Sequence, residues 1–352
     1  MKIQIPKTRF LSPMKISIAT LTAVSLSAFA ACLAQAASEE TVHETRGAQA
    51  GGQLVVEVDF GSIQVVPGDN DKVVLDAHRK IEASSKAKEE EYLRAAPITV
   101  TTEGNKVIVR AIQQPRSLGK QLWRMLGNTR TEGHYAIKVP ANFSLNLNTS
   151  GGDVSSRGVT GQVKVNTSGG DLMFGQIHGD IHAETSGGDI TAKGCDGATV
   201  LNTSGGRIEV TGGQGKLNAE TSGGNVTVLN RVGDTKVESS GGKLRLGNIS
   251  GNLSAETSGG SVSAILPSSV AGDVRLETSG GSITVVAPPN AHLTIDAETS
   301  AGSVSSDLPI AKLSADEDSL KGTINGGGTN LILRSSAGSI EIVSAEKATA
   351  QQ

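Results

Sequence analysis

Apolar and polar residues alternate one by one in short runs along most of the chain. In the run that ends at Ser222, the side chains of Leu217, Ala219 and Thr221 fall on one face and Glu220 falls on the other. Two residues per repeat is the period of a β-strand with one buried face. The pattern therefore predicts many short strands, separated by turns that are rich in glycine.

An internal repeat organises these runs. The motif Thr-Ser-Gly-Gly, or a close variant, recurs in steps of 18 residues, then in two steps of 21 and a last step of 36, which is twice 18. Its copies begin at Thr149, Thr167, Thr185, Thr203, Thr221, Ser239, Thr257, Thr278, Thr299 and Ser335. One such coil cannot bury its own apolar face, so coils must stack. We predict an all-β fold, a single-stranded β-solenoid (β-helix) of 18-residue coils, right-handed as parallel connections usually are.

Glycines mark two corners of each predicted coil. One is the Gly pair of the motif, and the other is a single Gly twelve residues after the motif start, replaced by Asn290 in a late copy. Gly with Asn as its substitute indicates a positive φ at the single-Gly corner. The predicted structural corners are Gly151, Gly152, Gly161, Gly169, Gly170, Gly179, Gly187, Gly188, Gly197, Gly215, Gly233 and Gly251.

The chain divides into five segments. Residues 1–36 have the basic start, apolar run and small-residue cleavage pattern of an export signal. We expect 37–50 to be a flexible start of the mature protein, and 51–147 to form a β-rich N-terminal cap of wider opening coils with a helical insert. The solenoid occupies 148–343, and 344–352 is expected to be a disordered tail.

The strand around Leu331 and the strand that starts at Ser339 are expected to close the far end of the stack. At the other end, two alternatives remain open. Cys32 stands in a weak lipobox, so acylation there would make the protein a lipoprotein, and Met14 offers a second translation start. Either way the sequence predicts an exported bacterial protein that is periplasmic, associated with the outer membrane or at the cell surface.

Composition supports a narrow lumen. The chain has 44 Gly, one Trp, two Tyr and five Phe, and Phe174 is the only aromatic residue between Thr149 and Ser306. The core must therefore be filled by aliphatic side chains and threonine. The net charge of −3 gives no general attraction to nucleic acid.

The sequence resembles a known family, the putative adhesins of the bacterial envelope (the DUF4097 type). The resemblance covers roughly residues 51–343. It rests on the strand Gly61–Val65, the segment Tyr135–Pro140 before the coils, the Thr-Ser-Gly-Gly ladder and the closing segment Ser336–Ile340. It implies a β-solenoid of exported proteins with no assigned catalytic residues.

Two columns of acidic residues are candidate sites. Asp153, Asp171 and Asp189 follow the Gly pair in three successive coils, and stacked carboxylates suit Ca²⁺. The alternative is a corner Asp that bonds its own turn. A second column forms a negative stripe for a basic partner or for divalent ions, or else a solvated face that resists lateral sheet pairing. It is made of Glu220, Glu238, Glu256, Glu277 and Glu298.

The stretch 116–130 combines cations with apolar residues and contains no acid. It is either a cap over the open end of the solenoid, whose cations extend into solvent, or an external contact with a partner or the surface of an anionic membrane. Its candidate contact residues are Arg116, Lys120, Trp123 and Arg124.

No catalytic or nucleotide-binding motif appears in a fitting context, and we expect no resident cofactor apart from the possible Ca²⁺. Cys195 is expected to point inward and to be inert. The leading interpretation is a monomeric, non-catalytic interaction protein of the cell envelope, adhesin-like or a rigid scaffold, that contacts protein or polysaccharide. Two alternatives stay open: a polysaccharide-acting β-helix enzyme and a Ca²⁺-binding periplasmic scaffold. Stacking of solenoid ends into filaments is disfavoured by the predicted caps.

Overall fold

A computed structural model describes residues 37–112 and 130–349 of the chain. This part is almost entirely β-structure, with two short helices, α1 at Lys86–Ala95 and α2 at Ala345–Thr349. The strands before the repeat are β1 Ser38–Gly47, β2 Gly52–Val58, β3 Ser62–Pro67, β4 Lys72–Glu82, β5 Thr99–Glu103, β6 Lys106–Ala111 and β7 Arg130–Val139.

The strands of the repeat follow in regular alternation. They are β8 Phe143–Thr149, β9 Val154–Arg157, β10 Val163–Asn166, β11 Leu172–Gly175, β12 Ile181–Thr185, β13 Ile190–Lys193, β14 Thr199–Thr203, β15 Ile208–Thr211, β16 Leu217–Thr221, β17 Val226–Leu229, β18 Thr235–Ser239, β19 Leu244–Gly247, β20 Leu253–Thr257, β21 Val262–Ile265, β22 Val274–Thr278, β23 Ile283–Ala287, β24 Leu293–Thr299, β25 Val304–Ser306, β26 Ala311–Ala315, β27 Ser319–Ile324, β28 Thr329–Ser335 and β29 Ile340–Ser344.

These strands form two long sheets that face each other across the lumen. Sheet A has 14 strands in the order β1-β4-β7-β3-β9-β11-β13-β15-β17-β19-β21-β23-β29-β25. Sheet B has 15 strands in the order β26-β27-β24-β28-β22-β20-β18-β16-β14-β12-β10-β8-β2-β6-β5. Each coil gives one strand to each sheet, and this confirms the predicted β-solenoid.

The register shows the 18-residue repeat directly. Ile190 pairs with Ile208 in sheet A, and Leu201 pairs with Ala219 in sheet B, each in a parallel ladder. Because the shift equals the repeat, equivalent residues of successive coils lie one above another at the strand spacing of about 4.8 Å. Every position of the repeat therefore becomes a column along the solenoid.

A third side joins the two sheets and was not predicted from the sequence. Single-residue parallel bridges link Thr160, His178, Asp196 and the equivalent residues of later coils. Each bridge follows a residue with left-handed backbone, and these residues form their own column. They are Gly158, Gln176, Gly194, Gly212, Asn230 and Asn248, with φ between 52° and 69°. Each coil thus turns at three corners.

The positive φ predicted at the single-Gly corner occurs in the coils up to Gly251 but not in the two that follow, at Gly272 and Asn290. Gly161, Gly179 and their equivalents up to Gly251 have φ between 104° and 153°. Asn290, predicted to replace this Gly, is not among the residues with positive φ. Its coil contains three extra residues, which form a separate turn in which the Ala291 N–H donates to the Pro288 carbonyl at 3.0 Å.

The two glycines of each pair have different roles. At the second one, such as Gly188, an added Cβ would overlap the carbonyl oxygen of Gly170 in the previous coil. At the first one, Gly187, the nearest atom to an added Cβ lies 3.8 Å away. Close approach of stacked backbones therefore requires only the second glycine of the pair.

The lumen is filled as the alternation predicted. The buried cluster runs through the described chain and consists mostly of Val, Ile, Leu and Ala. The Thr column of the motif also points inward. Thr203 Oγ1 donates to the Gly188 carbonyl at 3.0 Å and accepts from the Gly206 N–H at 3.2 Å. Each buried hydroxyl thus links the corner of its own coil to the previous coil.

Thr203→Val is expected to cost about 1–2 kcal/mol of unfolding free energy, because it removes both hydrogen bonds and keeps the side-chain shape. Urea unfolding followed by circular dichroism measures the shift in the midpoint. Thr211→Val, which lies at the end of β15 on the outer face of sheet A, is the matched control and should change the free energy by less than about 0.5 kcal/mol. Equal losses in both variants would contradict the role of the buried hydroxyl.

The coils at both ends do not follow chain order. At the N-terminal end, β2 lies between β6 and β8, and β3 lies between β7 and β9, so the first coil of the sequence is the second coil of the stack. At the other end, β28 lies between β22 and β24, and β29 lies between β23 and β25. The strands around Leu331 and Ser339 were predicted to close the stack. They are instead inserted one coil from its end.

The outermost elements also differ from the prediction. Residues 38–47, expected to be flexible, form β1, which pairs antiparallel with β4 along its whole length. Its side chains alternate between half-buried and exposed, so no apolar pattern marked it. Glu40 from β1 forms an ion pair with the buried Arg79 guanidinium, which also donates to the Ala96 carbonyl at 2.8 Å. The predicted disordered tail contains α2.

Candidate functional site

The outer face of sheet B carries the longest regular array of charged side chains, and we call it the Glu face. In register, Glu220 stacks on Glu238, Glu238 on Glu256, and Glu256 on Glu277. The alternation of each strand turns these carboxylates away from the lumen, so they lie in one column at about 4.8 Å per coil. Four consecutive coils thus present a row of acids.

The predicted stripe of five acids is interrupted. Because β28 is inserted between β22 and β24, Arg334 stands between Glu277 and Glu298. Arg334 Nη2 lies 2.7 Å from Asp296 Oδ2, and its Nε lies 3.8 Å from Glu298 Oε2. Glu298 is therefore part of a mixed-charge cluster and does not extend the acidic row.

Two cations in the neighbouring column neutralise part of the row. Lys236 Nζ lies 2.7 Å from Glu238 Oε1, and Arg275 Nη2 lies 2.5 Å from Glu277 Oε1. Among the described residues, Glu220 and Glu256 have no ion pair within 4 Å. Ion-paired and unpaired acids therefore alternate along the Glu face, and Glu220 and Glu256 are the acids that are open to a partner.

A shallow groove of about 410 Å³ lies on the Glu face along the Ser-Gly corner, in the coils nearer the N-terminal end of the repeat. Glu184 and Glu220 line it, together with Asn202. The side-chain oxygens of Asn202 and Asn218 are buried without a hydrogen-bond partner. The groove thus offers the carboxylate oxygens of Glu184 and Glu220 as acceptors and suits a ligand that donates hydrogen bonds, whereas the two amide oxygens are closed to a ligand.

The Asp column connects coils through hydrogen bonds. Asp153 Oδ1 accepts from the Asp171 N–H at 2.9 Å, and Asp171 Oδ1 accepts from the Asp189 N–H at 2.8 Å. Asp189 accepts from the Arg207 N–H at 2.7 Å and from its guanidinium, and these bonds hold the pKa of the Asp189 carboxyl below its usual range. Each Asp therefore accepts a hydrogen bond from the corner of the next coil, not from its own turn.

No group of three or more His, Cys, Asp or Glu side chains suited to a metal occurs in residues 37–112 and 130–349. The calcium site at Asp153, Asp171 and Asp189 stays a prediction. One oxygen of each of these carboxylates already accepts a backbone hydrogen bond. The candidate contact residues Arg116, Lys120, Trp123 and Arg124, the export signal and Cys32 lie outside the described residues.

Comparison with known families agrees with this architecture. The Toastrack DUF4097 family model matches residues 52–232 and 230–343. The two matches together cover most of the chain. This chain belongs to the Toastrack DUF4097 family.

Solved structures that resemble this Toastrack chain are distant. A putative cell adhesion protein from Clostridium sporogenes is 12% identical over 87% of this chain and 100% of its own, with a TM-score of 0.20. A putative adhesin from Bacteroides fragilis is 11% identical over 87% and 98%, with a TM-score of 0.31. A putative lipid binding protein from Parabacteroides distasonis is 13% identical over 87% and 96%, with a TM-score of 0.29. A comparison with curated proteins gives no match.

The Toastrack solenoid of this chain contains a buried cation that sequence reasoning missed. Arg231 is 0% exposed and occupies the inward column of Val159, Ile177 and Ile249. Its Nη1 donates to the Cys195 carbonyl at 2.7 Å, two coils away. Gly213 lies in the intervening coil, where an added Cβ would come within 2.6 Å of Arg231 Nη1. The signal in the sequence was a Gly at an inward position, followed 18 residues later in the same column by an Arg.

Cys195 belongs to the same column and is buried, as predicted. Burial raises the pKa of its thiol. Because the thiolate is the reactive form, we expect Cys195 to resist iodoacetamide at neutral pH in the folded protein and to react fully in urea. Mass spectrometry of the labelled peptide measures this. Labelling of Cys195 at the same rate with and without urea would contradict a closed lumen at this coil.

In the described part of the chain, no helix is long and apolar enough to cross a membrane.

Proposed function

We propose that this protein is an exported, non-catalytic interaction protein of the cell envelope, adhesin-like or a rigid scaffold, and that the Glu face is its contact surface. The observation that carries the proposal is the in-register row Glu220–Glu238–Glu256–Glu277, presented at one spacing by a stack of rigid strands. Such a row favours many weak contacts with an extended partner over one enclosed site.

The chemistry of the Glu face favours a basic partner. Lys236 and Arg275 already satisfy two of the four acids, so a partner that carries cations would pair with Glu220 and Glu256. These two acids lie two coils apart, about 10 Å. A basic protein segment in extended conformation has side chains of one face about 7 Å apart, so flexible Lys or Arg side chains can reach both acids.

The short corners of the described repeat support a role without catalysis. The coils of the repeat are joined by corners of a few residues, and the grooves on the Glu face are shallow and open. Most glycoside hydrolases use a pair of carboxylates that flank the scissile bond. The acids of the Glu face stand in a straight row on a flat sheet.

Binding to a poly-lysine surface tests the contact chemistry. The double variant Glu220→Gln and Glu256→Gln should weaken binding about tenfold or more at low salt, because two unpaired charges are removed. The matched control is Glu341→Gln, an exposed acid in β29 of sheet A. Equal binding by the double variant and the control would contradict the Glu face as the contact surface.

Location is tested separately with the full-length chain carrying a C-terminal tag in a Gram-negative host. Protease treatment of intact cells should degrade a surface adhesin, and intact mass should show cleavage near Ala36 or acylation at Cys32. Protection until the outer membrane is opened would overturn the adhesin role and leave a periplasmic scaffold. Retention in the cytoplasm would contradict export.

A further inference from the structure

A second surface, on the opposite sheet, has the features of a ligand groove. It lies on the outer face of sheet A, near the N-terminal end of the repeat, and has a volume of about 370 Å³. We call it the Gly175 groove. Its lining includes Val66, Arg157, Met173 and Lys193, and we call Gly175, which has no side chain and pairs between Arg157 and Lys193, its floor.

The floor residue has no backbone reason to be glycine. Gly175 is not among the residues with positive φ, and an added Cβ would meet only the Arg157 Cβ, at an ordinary distance of 3.6 Å. The same column holds Lys193 and Leu229 in later coils. A glycine within a strand weakens it and often marks a bulge, a tight bend, or the close approach of a ligand or of another backbone. No backbone atom of another strand lies within 4 Å of an added Cβ at Gly175.

Gly247, in the same column, provides a comparison. An added Cβ there would lie 3.0 Å from Cδ2 of Leu229, so the neighbouring side chain already covers Gly247. At Gly175 the neighbours in the column are Arg157 and Lys193, and neither covers the floor. Of these two glycines, therefore, only Gly175 leaves an open gap where its side chain would be.

The lining of the groove is cationic on either side of Gly175, with Met173 on the strand between the two cations and Val66 one strand beyond Arg157. Arg157 and Lys193 stand one coil on either side of Gly175, and no acidic residue lines the groove. Lys193 has one distant ion pair, 3.7 Å from Glu209, and no ion pair or hydrogen bond of the Arg157 side chain is found in the described part of the chain. Met173 is 49% exposed and lies beside the floor.

These features select the chemistry of the ligand. Two long cationic side chains on either side of a gap can turn toward one anionic group above Gly175. Hydrogen bonds between a cationic donor and an anionic acceptor are stronger than those between neutral groups. The exposed thioether of Met173, on the same strand as Gly175, provides an adaptable apolar surface next to that position. An anion without an apolar body would leave this surface in water.

We infer that the Gly175 groove binds a monomeric amphiphilic anion, with its acidic head between Arg157 and Lys193 and its apolar chain on Met173. The inference is independent of the Glu face, which lies on the other sheet. It adds a small-molecule site to a protein whose proposed function is contact with a macromolecule.

Isothermal calorimetry of the mature protein with dodecanoate below its micellar concentration tests the inference. We expect one site per chain. Arg157→Gln should weaken binding about tenfold, since it removes one charge-assisted hydrogen bond. Gly175→Leu should abolish it by filling the floor. The matched controls are Arg245→Gln and Thr211→Leu on the same face of sheet A, which should bind as the parent protein does.

Several results would overturn the inference. Equal binding of dodecanoate by Gly175→Leu and Thr211→Leu would place the ligand elsewhere. Equal affinity for dodecyl maltoside would show that the acidic head is not recognised, and equal affinity for acetate would show that the apolar chain is not. Binding to phosphatidylglycerol vesicles without binding to dodecanoate would indicate a membrane surface as the partner. The double variant Glu220→Gln and Glu256→Gln should leave dodecanoate binding unchanged, so the two proposals fail separately.

Discussion

Gly224→Ala is expected to unfold the solenoid at urea concentrations that the parent protein resists. Gly224 is the second glycine of its pair, and its added methyl group would overlap the carbonyl oxygen of Gly206 in the previous coil. The clash is with backbone, so no side-chain rotation relieves it. Moving the backbone would break the ladder on both sides, because Gly206 is fixed in the same way against Gly188.

The expected loss is about 3 kcal/mol, at the upper end of what overpacking costs in a core that cannot shift. Urea unfolding followed by circular dichroism measures it. Because repeat proteins can unfold in parts, hydrogen exchange should locate the loss. We expect protection to fall first in the coils that contain Gly206 and Gly224.

The other glycine of the same pair provides a matched control. At Gly223 the nearest atom to an added Cβ is the Ser204 carbonyl oxygen, 3.7 Å away, and Gly223 is not among the residues with positive φ. Gly223→Ala should therefore be tolerated, and it should stabilise by up to about 1 kcal/mol by restricting the unfolded chain. A comparable loss in Gly223→Ala and Gly224→Ala would contradict the assignment of the close approach to the second glycine.

The regular part of the fold was readable from the sequence because each signal repeats. The Thr-Ser-Gly-Gly motif, the single Gly and the period-two alternation all recur at 18 residues and agree with one another. Their agreement predicts coil length, sheet faces and the buried Thr column. The third corner escaped because its residue type varies, from Gly158 to Gln176 to Asn230, although the left-handed backbone is the same.

The ends of the stack could not be predicted for a different reason. Alternation fixes which face of a strand is buried, but it does not fix which strand is the neighbour. Both β24 and β28 have inward faces that fit against β22, and only the folded chain shows that β28 takes that place. The interrupted acidic column at Arg334 follows from this order.

The candidate sites were predicted in part. The row from Glu220 to Glu277 follows from the repeat, whereas the ion pairs of Lys236 and Arg275 depend on side-chain geometry. The Gly175 groove gave no signal, because in a chain with 44 Gly one further glycine is unremarkable until its φ and neighbours are known. Arg231 was missed because an arginine carries no apolar signal of an inward position.

Arg231→Ala is expected to destabilise the protein strongly. The guanidinium fills the space above Gly213 and donates to carbonyl oxygens of two coils, with Nη1 2.7 Å from Cys195 O and Nη2 3.1 Å from Gln214 O. Truncation leaves a cavity in the lumen and an unpaired carbonyl at Cys195, so the expected loss is about 2–5 kcal/mol. Urea unfolding measures the loss, and Arg245→Ala, an exposed arginine one coil further along, is the control.

Arg231→Met separates packing from charge. Burial lowers the pKa of the Arg231 guanidinium, which shows that the lumen disfavours its charge, and its Nε is buried without a partner. No acidic side chain pairs with it in the described residues, and replacing buried charges by apolar side chains of similar volume is often neutral or stabilising. We therefore expect Arg231→Met to lie within about 1 kcal/mol of the parent protein or above it.

The two variants together decide what Arg231 does. If methionine restores the stability that alanine removes, the side chain acts as a filler of the space above Gly213, and the carbonyl bonds only offset the cost of burying its charge. If methionine is as destabilising as alanine, the hydrogen bonds to Cys195 and Gln214 hold the three coils together. The second result would contradict our expectation and would make the cation a structural clasp inside the solenoid.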